Sequence, residues 1–442
     1  MKASFQKQLF VIVIIIPLLF SMFVSTSTST VSAQTSTSLN IQAEAAILVE
    51  ANSGKILYAK NADSSLAIAS MTKMMTEYII HEAVQNGKIK WDQKTQISDY
   101  AQMISQDRSL SNVPLEKGGS YTVKELYEAM AIYSANGAAI ALAELVSGSE
   151  ANFIKLMDQK AKDLGLTDYK FVNATGLTNK DLKGKQPEGT APDEENKMTA
   201  RDCAIVAQRL ILDYPDALET AKIPKKVFQE GGKYPVQMDN WNWMLKGLVF
   251  QYEGVDGLKT GSTPEAGYCF TGTAKRGDLR LISVVIKSNS YNARFDETKK
   301  LFDYGFSSFD SKQLYPQGYQ VADKKTVPVV KGKQKQVEVE TAKAVDIAIP
   351  KGGKSPYTVG YQLDNKEVTA PIKKNTKVGS MTITSTDSND PGFLTGKELK
   401  VDLVTKTDVD KANWFVLAMR GIGSFFGNLW SGTVNSVKGL FK

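Results

Sequence analysis

Residues 70–85 read SMTKMMTEYIIHEAVQ, and the rest of the chain is best understood from this stretch. Its apolar residues recur at helical spacing and Gly87 follows, so it predicts a helix from Ser70 to about Gln85. Residues three apart are neighbours on a helix surface, which places the Lys73 amine beside the Ser70 hydroxyl. A serine needs a partner that takes its proton, and a lysine does so when burial or nearby positive charge lowers its pKa. The stretch therefore predicts a nucleophile with an adjacent base, although S-x-x-K alone also fits a capping serine and a solvated lysine.

Two later motifs carry side chains that would complete such a site. Ser134 to Asn136 lies between apolar segments that predict two helices, where polar groups are costly unless they are paired or used. The second motif, Lys259 to Ser262, lies on a predicted strand. Its Gly261 allows a ligand or backbone to approach closely, and Lys259 with Thr260 offers a cation and a hydroxyl for a carboxylate. Taken singly, the two motifs also fit a helix–helix turn and a solvated edge strand.

The histidine and cysteine content limits the alternative chemistries. His81 is the single histidine and lies on the same predicted helix as Ser70, roughly 16 Å along the axis at 1.5 Å per residue. This separation argues against a Ser-His-Asp triad and leaves Lys73 as the base. One histidine, no paired-Cys motif and no H-E-x-x-H give no support for a metal site, and no cofactor is expected. Cys203 and Cys269 are the only cysteines and are predicted to be free, packed thiols.

The N-terminus has the pattern of a secretory signal. Lys2 and Lys7 precede an apolar run from Leu9 to Val24, and small residues follow up to Ala33. This predicts a signal over residues 1–33, cleaved after Ala33 and followed by a linker over 34–44, with an uncleaved membrane anchor as the alternative. The net charge of +7 is spread along 442 residues without a clustered basic arm, which fits an anionic envelope and no nucleic-acid partner.

The order of predicted elements indicates an α+β protein. A strand pair between Ala45 and Tyr58 comes first, helices follow, and three strands between Val255 and Ser288 precede a helix from Arg294 to Phe306. This order predicts an antiparallel sheet, completed by strands from both ends of a domain over residues 45–312 and covered by helices. Residues 313–408 are rich in Val, Lys, Thr and Gly with alternating apolar positions, which predicts a small β-rich domain.

The last segment, residues 409–442, predicts an amphipathic helix. Trp414, Phe425 and other apolar residues recur near helical spacing with interleaved cations such as Arg420. The longest apolar run, Trp414 to Met419, is far too short to span a membrane, so the helix is predicted to lie in the membrane interface. A helix docked on its own protein is the alternative.

S-x-x-K at Ser70, S-x-N at Ser134 and K-T-G at Lys259 are together typical of penicillin-recognising serine enzymes. The chain resembles the low-molecular-mass penicillin-binding proteins of class C, type 5, which are serine D-alanyl-D-alanine carboxypeptidases. The resemblance extends from the signal to the tail and includes AILVEANSGKILY, SMTK, SAN, FVNATGL, MTARDCAIVAQ and DGLKTGST. It implies a β-lactamase/transpeptidase-like fold, with a five-stranded antiparallel sheet covered by helices.

The resemblance also implies roles for the first two motifs. Ser70 would attack the carbonyl between the two terminal D-alanines of a peptidoglycan stem peptide, and Lys73 would take its proton. Ser134 would relay protons to the leaving D-alanine, and Asn136 would hold the substrate backbone. β-Lactam antibiotics would acylate Ser70 because they imitate the D-alanyl-D-alanine end.

The third motif would bind the substrate. By resemblance, Lys259 and Thr260 would hold the terminal carboxylate beside Gly261, and the backbone N–H groups of Ser70 and Ser262 would hold the oxyanion. A second cation close to Lys73 would also lower the pKa of that lysine. Some family members place an arginine shortly after the last strand to help hold the carboxylate. Here the next arginine is Arg294, and its role stays open.

Three alternatives remain at this point. A class A β-lactamase shares the motifs but adds an acidic E-x-x-L-N segment, which does not occur between Asn136 and Lys259, so a long-lived penicilloyl-enzyme is expected. A D,D-transpeptidase would use an amine in place of water. A non-enzymatic β-lactam-binding wall protein would lack turnover. We expect an exported protein on the outer face of the bacterial cytoplasmic membrane, held peripherally by its C-terminal helix.

Overall fold

The structure, a computed structural model, describes residues 39–353, 355–420 and 422, and the predicted signal of residues 1–33 lies outside them. The elements below belong to one unit that begins at Ile41. Its strands up to Ser288 are β1 (Ala43–Glu50), β2 (Ile56–Lys60), β3 (Leu66–Ala67), β4 (Lys94–Gln96), β5 (Ser120–Thr122), β6 (Tyr169–Lys170), β7 (Lys197–Met198), β8 (Lys225–Phe228), β9 (Val236–Asp239), β10 (Val255–Thr263), β11 (Gly267–Arg276) and β12 (Leu279–Ser288).

Within the described residues, five strands form the central sheet in the order β10–β11–β12–β1–β2, and every pairing is antiparallel. The first strand pairs with the last, with Ala43 opposite Ser288 and Glu50 opposite Leu281. β1 is buried along nearly its whole length, which explains its unbroken apolar run AAILV. The predicted sheet, with strands from both ends of the domain, is confirmed. Three small sheets lie outside it, namely β3–β7–β6, β4–β5 and β8–β9.

Helices cover this sheet. α4 is rich in alanine, is almost entirely buried and packs against α2, α3, α5 and α1, while α6 and α8 pack directly on the strands of the sheet. Thr199 caps α6, since its side chain accepts a hydrogen bond from the backbone N–H of Asp202. The bounds are α1 (Lys73–Gln85), α2 (Asp99–Ser105), α3 (Val123–Tyr133), α4 (Asn136–Ser147), α5 (Glu150–Leu164), α6 (Ala200–Asp213), α7 (Ala217–Ala221) and α8 (Ala293–Ser308).

The start of the helix predicted from Ser70 differs from the prediction. Ala69–Thr72 form a 3₁₀ turn, in which the Ile68 carbonyl accepts from the Met71 N–H at 3.1 Å, and α1 begins only at Lys73. Ala69 enters the turn with φ of +46°, a left-handed conformation. Two distant segments pack closely on this turn, as described below, and periodicity within the helix carries no information about them. A second 3₁₀ turn, Asn179–Leu182, lies in the loop between β6 and β7.

The part of the chain from Phe309 to Thr405 is β-rich, as predicted. β15 shows the expected alternation, with Val337 and Val339 buried between exposed neighbours. β13 pairs with β16, and a six-stranded sheet has the order β17–β19–β20–β15–β14–β18. These strands are β13 (Phe309–Tyr315), β14 (Thr326–Val330), β15 (Gln336–Thr341), β16 (Val345–Pro350), β17 (Tyr357–Leu363), β18 (Val368–Thr369), β19 (Lys377–Ser385) and β20 (Glu398–Thr405).

A loop of the β-rich part docks on the turn between β1 and β2. The buried Lys55 amine donates to the Asp390 carboxylate at 2.6 Å and to the Gly392 carbonyl at 3.1 Å. Backbone bonds continue the contact, since the Leu394 N–H donates to the Gly54 carbonyl at 2.9 Å. A buried ion pair with backbone hydrogen bonds on both sides holds the loop of the β-rich part against the β1–β2 turn.

The predicted tail helix does not begin at residue 409, because Val409 and Lys411 form isolated bridges with Ile372 and Gly332. Helical residues 414–420 follow. Trp414 is 79% exposed and Phe415 58%, while the Arg420 guanidinium donates to the Gly332 carbonyl at 2.7 Å. None of the helices in the described ranges has the length and apolar character needed to cross a membrane. The rest of the predicted tail helix lies outside the described residues. Cys203 and Cys269 are free and buried, as predicted.

Candidate active site

Strand β10 packs against the 3₁₀ turn that carries Ser70, and a cleft of about 390 Å³ opens beside them. All three motifs reach this cleft, which brings together segments far apart in the sequence. Its lining consists of Ser70, Arg108, Ser109, Leu110, Ser111, Tyr133, Ser134, Trp241, Thr260, Gly261, Ser262, Tyr291 and Arg294.

Lys73 lies at the centre of the hydrogen bonding behind the cleft. Its fully buried amine is 2.9 Å from Ser70 Oγ, 2.8 Å from Asn136 Oδ1 and 2.7 Å from the Thr175 carbonyl oxygen. A neutral amine can donate its two N–H groups to the two carbonyl oxygens and present its lone pair to the Ser70 hydroxyl. The predicted contact of nucleophile and base is therefore present, with the base held at three points.

The surroundings favour a neutral Lys73. Burial lowers the pKa of Lys73 well below its ordinary value of 10.5, and the positive charge of Lys259 lowers it further, against a smaller opposing effect of Glu77. Burial also lowers the pKa of Lys259, to about 8, with the carboxylate of Glu77 opposing and Arg294 adding to the decrease. Of the two buried lysines, Lys73 is the one set to lose its proton first.

His81 takes no part in this cluster. It lies on α1, where its Nε2 is 2.9 Å from the Tyr127 hydroxyl, and burial lowers its pKa to about 4. It is therefore neutral at physiological pH and bonded away from Ser70, as its position in the sequence predicts. Among the residues with coordinates, no three His, Cys, Asp or Glu side chains cluster in a way that could hold a metal ion.

Ser134 and Asn136 form the break between α3 and α4. Ser134 ends α3 with φ of +62° in the left-handed region, which is strained for a residue with a side chain. Its buried Oγ has no hydrogen-bond partner among the described residues and is therefore available to a ligand in the cleft. The Asn136 amide donates to the Ser111 carbonyl at 2.9 Å while its oxygen accepts from Lys73. Asn136 thus orients the base, and the substrate contact implied by resemblance stays a prediction.

The third motif approaches the Ser70 turn backbone to backbone. A Cβ atom on Gly261 would lie 2.5 Å from the Ile68 carbonyl oxygen and 3.2 Å from the Ser70 nitrogen, so only glycine permits this distance. Lys259 is 3% exposed and its amine donates to the Thr260 carbonyl at 3.1 Å. The strand therefore brings Thr260, Gly261 and Ser262 to the wall of the cleft, next to the buried cation of Lys259.

The sequence prediction missed the loop that supplies the Thr175 carbonyl. Gly176 has φ of +80°, and a Cβ atom there would lie 1.9 Å from the Ala69 carbonyl oxygen, so the loop lies directly on the Ser70 turn. Asn173 Oδ1 accepts from the backbone N–H groups of Thr175 and Gly176, at 3.0 and 2.7 Å, and fixes the loop. The run Asn-Ala-Thr-Gly indicates a tight turn, but no local pattern indicates what the turn packs against.

Arg294, whose role the sequence leaves open, lies in the wall of the cleft. Its guanidinium stacks on Tyr291 at 4.1 Å and on Phe295 at 4.8 Å, and it is 1% exposed. Within the described ranges, its Nε and Nη2 have no well-aligned hydrogen-bond acceptor, and burial lowers its pKa. A buried guanidinium with free donors is suited to a carboxylate.

Comparisons with known proteins agree with this geometry. The family profile D-alanyl-D-alanine carboxypeptidase matches residues 29–290, and the profile penicillin-binding protein 5, C-terminal domain, matches residues 309–411. The D-alanyl-D-alanine carboxypeptidase DacF of Bacillus subtilis is 35% identical over 385 residues, which cover 87% of this chain and 90% of that protein.

Two solved structures are also similar. The peptidoglycan synthesis regulatory factor PBP3 from Streptococcus pneumoniae shares 38% identity at a TM-score of 0.71, with coverage of 84% of this chain and 100% of that one. Penicillin binding protein 5 from Haemophilus influenzae shares 29% identity at a TM-score of 0.66, with coverage of 84% and 98%. The chain belongs to the D-alanyl-D-alanine carboxypeptidase family of low-molecular-mass penicillin-binding proteins.

Proposed function

We propose that this protein is a serine D,D-carboxypeptidase, which removes the terminal D-alanine from peptidoglycan stem peptides ending in D-alanyl-D-alanine. The observation that carries the proposal is the buried, three-point contact of the Lys73 amine, 2.9 Å from Ser70 Oγ and behind a cleft lined by all three motifs. This arrangement supplies an activated nucleophile for acyl transfer without a histidine, a metal or a cofactor.

Acylation uses the Lys73 lone pair. Ser70 Oγ attacks the carbonyl carbon between the two D-alanines while its proton moves to Lys73 Nζ, and the oxyanion is held by the backbone N–H groups of Ser70 and Ser262. The C–N bond then breaks while Ser134 passes its proton to the nitrogen of the leaving D-alanine and takes one from protonated Lys73, which becomes neutral again. Water attacks the carbonyl carbon of the resulting ester while its proton moves to Lys73 Nζ. Lys73 returns that proton to Ser70 Oγ as the ester C–O bond breaks, which frees Ser70 and the shortened peptide.

The terminal carboxylate of the substrate is bound by the wall of the cleft that contains Thr260 and Arg294. Lys259 and Thr260 lie on β10, and Arg294 offers the free Nε and Nη2 donors described above. A carboxylate that enters this wall gains charge-assisted hydrogen bonds, and its entry gives the buried Arg294 guanidinium an anion. An exopeptidase that cuts one residue from the end of a peptide needs such a contact.

β-Lactam antibiotics fit the same site because they carry an acyl group and a carboxylate at similar positions. We expect penicillins to acylate Ser70 and to leave slowly. In the part of the chain that the structure describes, no carboxylate oxygen is a hydrogen-bond partner of Ser70 or Lys73, and the chain lacks the acidic E-x-x-L-N segment that class A β-lactamases use for deacylation.

The test is a single assay with three readouts. The chain from residue 34 is given a D-alanyl-D-alanine-ended peptide, with and without an amine acceptor, and separately a penicillin. Release of free D-alanine as the dominant reaction supports the proposal. Dominant transfer to the amine would identify a transpeptidase, rapid turnover of penicillin a β-lactamase, and penicillin labelling without any D-alanine release a non-enzymatic binding protein.

We also propose that the protein is exported and held on the outer face of the cytoplasmic membrane by its C-terminal helix. The support is the exposure of Trp414, Phe415, Met419 and Ile422, from 51% to 79%, in a segment with no acidic residue after Asp410. Exposed aromatic residues with flanking cations are typical of interfacial helices.

Deletion of all residues after Asp410 tests the membrane proposal. We expect the full chain from residue 34 to sediment with vesicles that contain phosphatidylglycerol, and the truncated chain to stay in the supernatant with unchanged D-alanine release. Replacing Trp414 and Phe415 by serine in the full chain should weaken sedimentation in the same direction. Vesicle binding by the truncated chain, or none by the full chain, would refute the tail as the anchor.

A further inference from the structure

Glu77 is a buried acid that the reaction above does not use. It lies on α1, four residues after Lys73, and therefore on the same side of the helix as the base. It is 4% exposed, and its Oε2 accepts a hydrogen bond from the Tyr127 hydroxyl at 3.3 Å. Ionisable carboxyls are seldom buried to this extent unless they are paired, so Glu77 needs an explanation.

The charged neighbours of Glu77 are the two lysines of the site. α1, which carries Glu77 and Lys73, packs against β10, which carries Lys259. The charges of both lysines act on the Glu77 carboxyl, and that of Lys259 acts more strongly. Other charged groups packed on α1 have partners of their own. Lys160 of α5 pairs with Glu82 at 2.6 Å, and Asp213 at the end of α6 accepts from the Tyr78 hydroxyl at 2.8 Å.

Two hydrogen bonds lead from Glu77 to His81. The Tyr127 hydroxyl, which donates to Glu77, is also 2.9 Å from His81 Nε2. His81 Nδ1 lies 3.7 Å from the Asp216 carboxylate, which is beyond hydrogen-bond distance, and the Asp216 side chain is 64% exposed. When Glu77 is ionised, Tyr127 can donate to it while His81 Nε2–H donates to the tyrosine oxygen. The two hydrogen bonds therefore stabilise the carboxylate.

The balance of charges gives Glu77 a purpose. Burial raises the pKa of Glu77 to about 7, while Lys259, the Tyr127 hydrogen bond and Lys73 hold it down. Two buried lysines without an anion would repel each other, and both would tend to lose their protons. A carboxylate that interacts more strongly with Lys259 than with Lys73 favours the protonated form of Lys259 over that of Lys73.

We propose that Glu77 is a positioning residue for the proposed reaction: its carboxylate keeps Lys259 charged for the substrate carboxylate, so that Lys73 can be the neutral base. The inference rests on the proposed function and assigns each lysine its protonation state. It involves only groups of this chain.

The variant Glu77→Gln tests the proposal, since it removes the charge but keeps the size and an acceptor for Tyr127. The measurement is the second-order rate constant of acylation by benzylpenicillin, in the chain from residue 34, between pH 6 and pH 10. Loss of the anion lowers the pKa of Lys259, so the alkaline limb of the profile should move down by about 1 pH unit or more. At a pH one unit above the midpoint of the wild-type alkaline limb, the variant should be acylated about tenfold more slowly than the wild type. At pH 6 the two proteins should have the same rate constant because Glu77 is then protonated.

Two further variants separate charge from structure. Glu82→Gln removes a carboxylate from the same helix, beside Lys160 and away from the lysine pair, and should leave the limb unmoved. Tyr127→Phe removes the donor to Glu77 and should move the limb in the same direction by less, which keeps the test open if Glu77→Gln does not fold. Glu77→Asp keeps a carboxylate, so its alkaline limb should lie between those of the wild type and Glu77→Gln.

The outcomes are distinct. A downward shift in Glu77→Gln with none in Glu82→Gln supports the proposal. A profile of unchanged shape in the folded Glu77→Gln and Tyr127→Phe proteins, whether at full or uniformly reduced rate, overturns it. Failure of the wild-type protein to be acylated at all would instead overturn the proposed function.

Discussion

Replacing Lys73 by methionine is expected to lower the rate of acylation of Ser70 by penicillin about 10²–10⁴-fold, the usual contribution of a positioned general base. Methionine fills a similar volume but cannot take a proton, so Ser70 keeps its place and loses its activation. The Asn136 and Thr175 oxygens lose the N–H groups that they accept at 2.8 and 2.7 Å, which also destabilises the fold. Stopped-flow labelling with a fluorescent penicillin measures the rate, and thermal unfolding measures the second effect.

Lys73→Arg is the matched control for this prediction. It restores a cation of similar length, but a guanidinium stays protonated at any physiological pH and cannot act as the base. If Lys73 acts only through its charge, the arginine variant will label at a rate near that of the wild type, and the mechanism fails. Ser70→Ala should lose all covalent labelling, and D-alanine release by that variant would refute the assignment of the nucleophile.

Gly176→Ala is expected to impair acylation severely although residue 176 contacts no substrate in the proposed mechanism. The added methyl group would lie 1.9 Å from the Ala69 carbonyl oxygen, so either the loop or the Ser70 turn must move. Overpacking and a left-handed alanine together cost about 2–5 kcal/mol. A shift of the turn by about 1 Å should lower the acylation rate about 100-fold. Labelling kinetics and denaturant unfolding give both quantities.

Gly165→Ala separates steric contact from backbone strain. Gly165 ends α5 with φ of +77°, close to the +80° of Gly176, and a Cβ atom there meets nothing within 4 Å. This variant should lose about 1 kcal/mol of stability and keep its acylation rate. Equal losses of activity in the two variants, or wild-type labelling by Gly176→Ala, would show that the contact with Ala69 does not hold the nucleophile.

Local patterns were sufficient for much of the fold. The break at Ser134 could be predicted because polar residues interrupt two apolar helical segments, and the strands after Val255 because apolar runs are bounded by turn residues. The three motifs could be ordered along the chain, and the arrangement of helices and strands around them allowed one antiparallel sheet. Each of these inferences depends on residues close together in sequence.

The parts that could not be predicted are contacts between distant segments. The 3₁₀ turn at Ser70 is held by the close approach of Gly176 and Gly261, and neither constraint is visible in the helical spacing around the turn. Glu77 fits the helix pattern as an ordinary polar position, and only the fold places it beside Lys259. The ion pair of Lys55 with Asp390 joins the β1–β2 turn to a loop of the β-rich part. No local sequence pattern indicates that these two segments meet.

The position of β1 has a consequence for how the protein comes into being. A chain emerges from the ribosome with its N-terminus first, but Ala43 finds its partner only when Ser288 has been synthesised. Until then one edge of β1 has no partner strand, and the cleft beside Ser70 lacks the wall that β10 forms. Contacts of such long range form slowly and late. The active site therefore forms only when the whole domain has folded. A chain that ends before β10 and β12 contains the nucleophile Ser70 but cannot form the cleft.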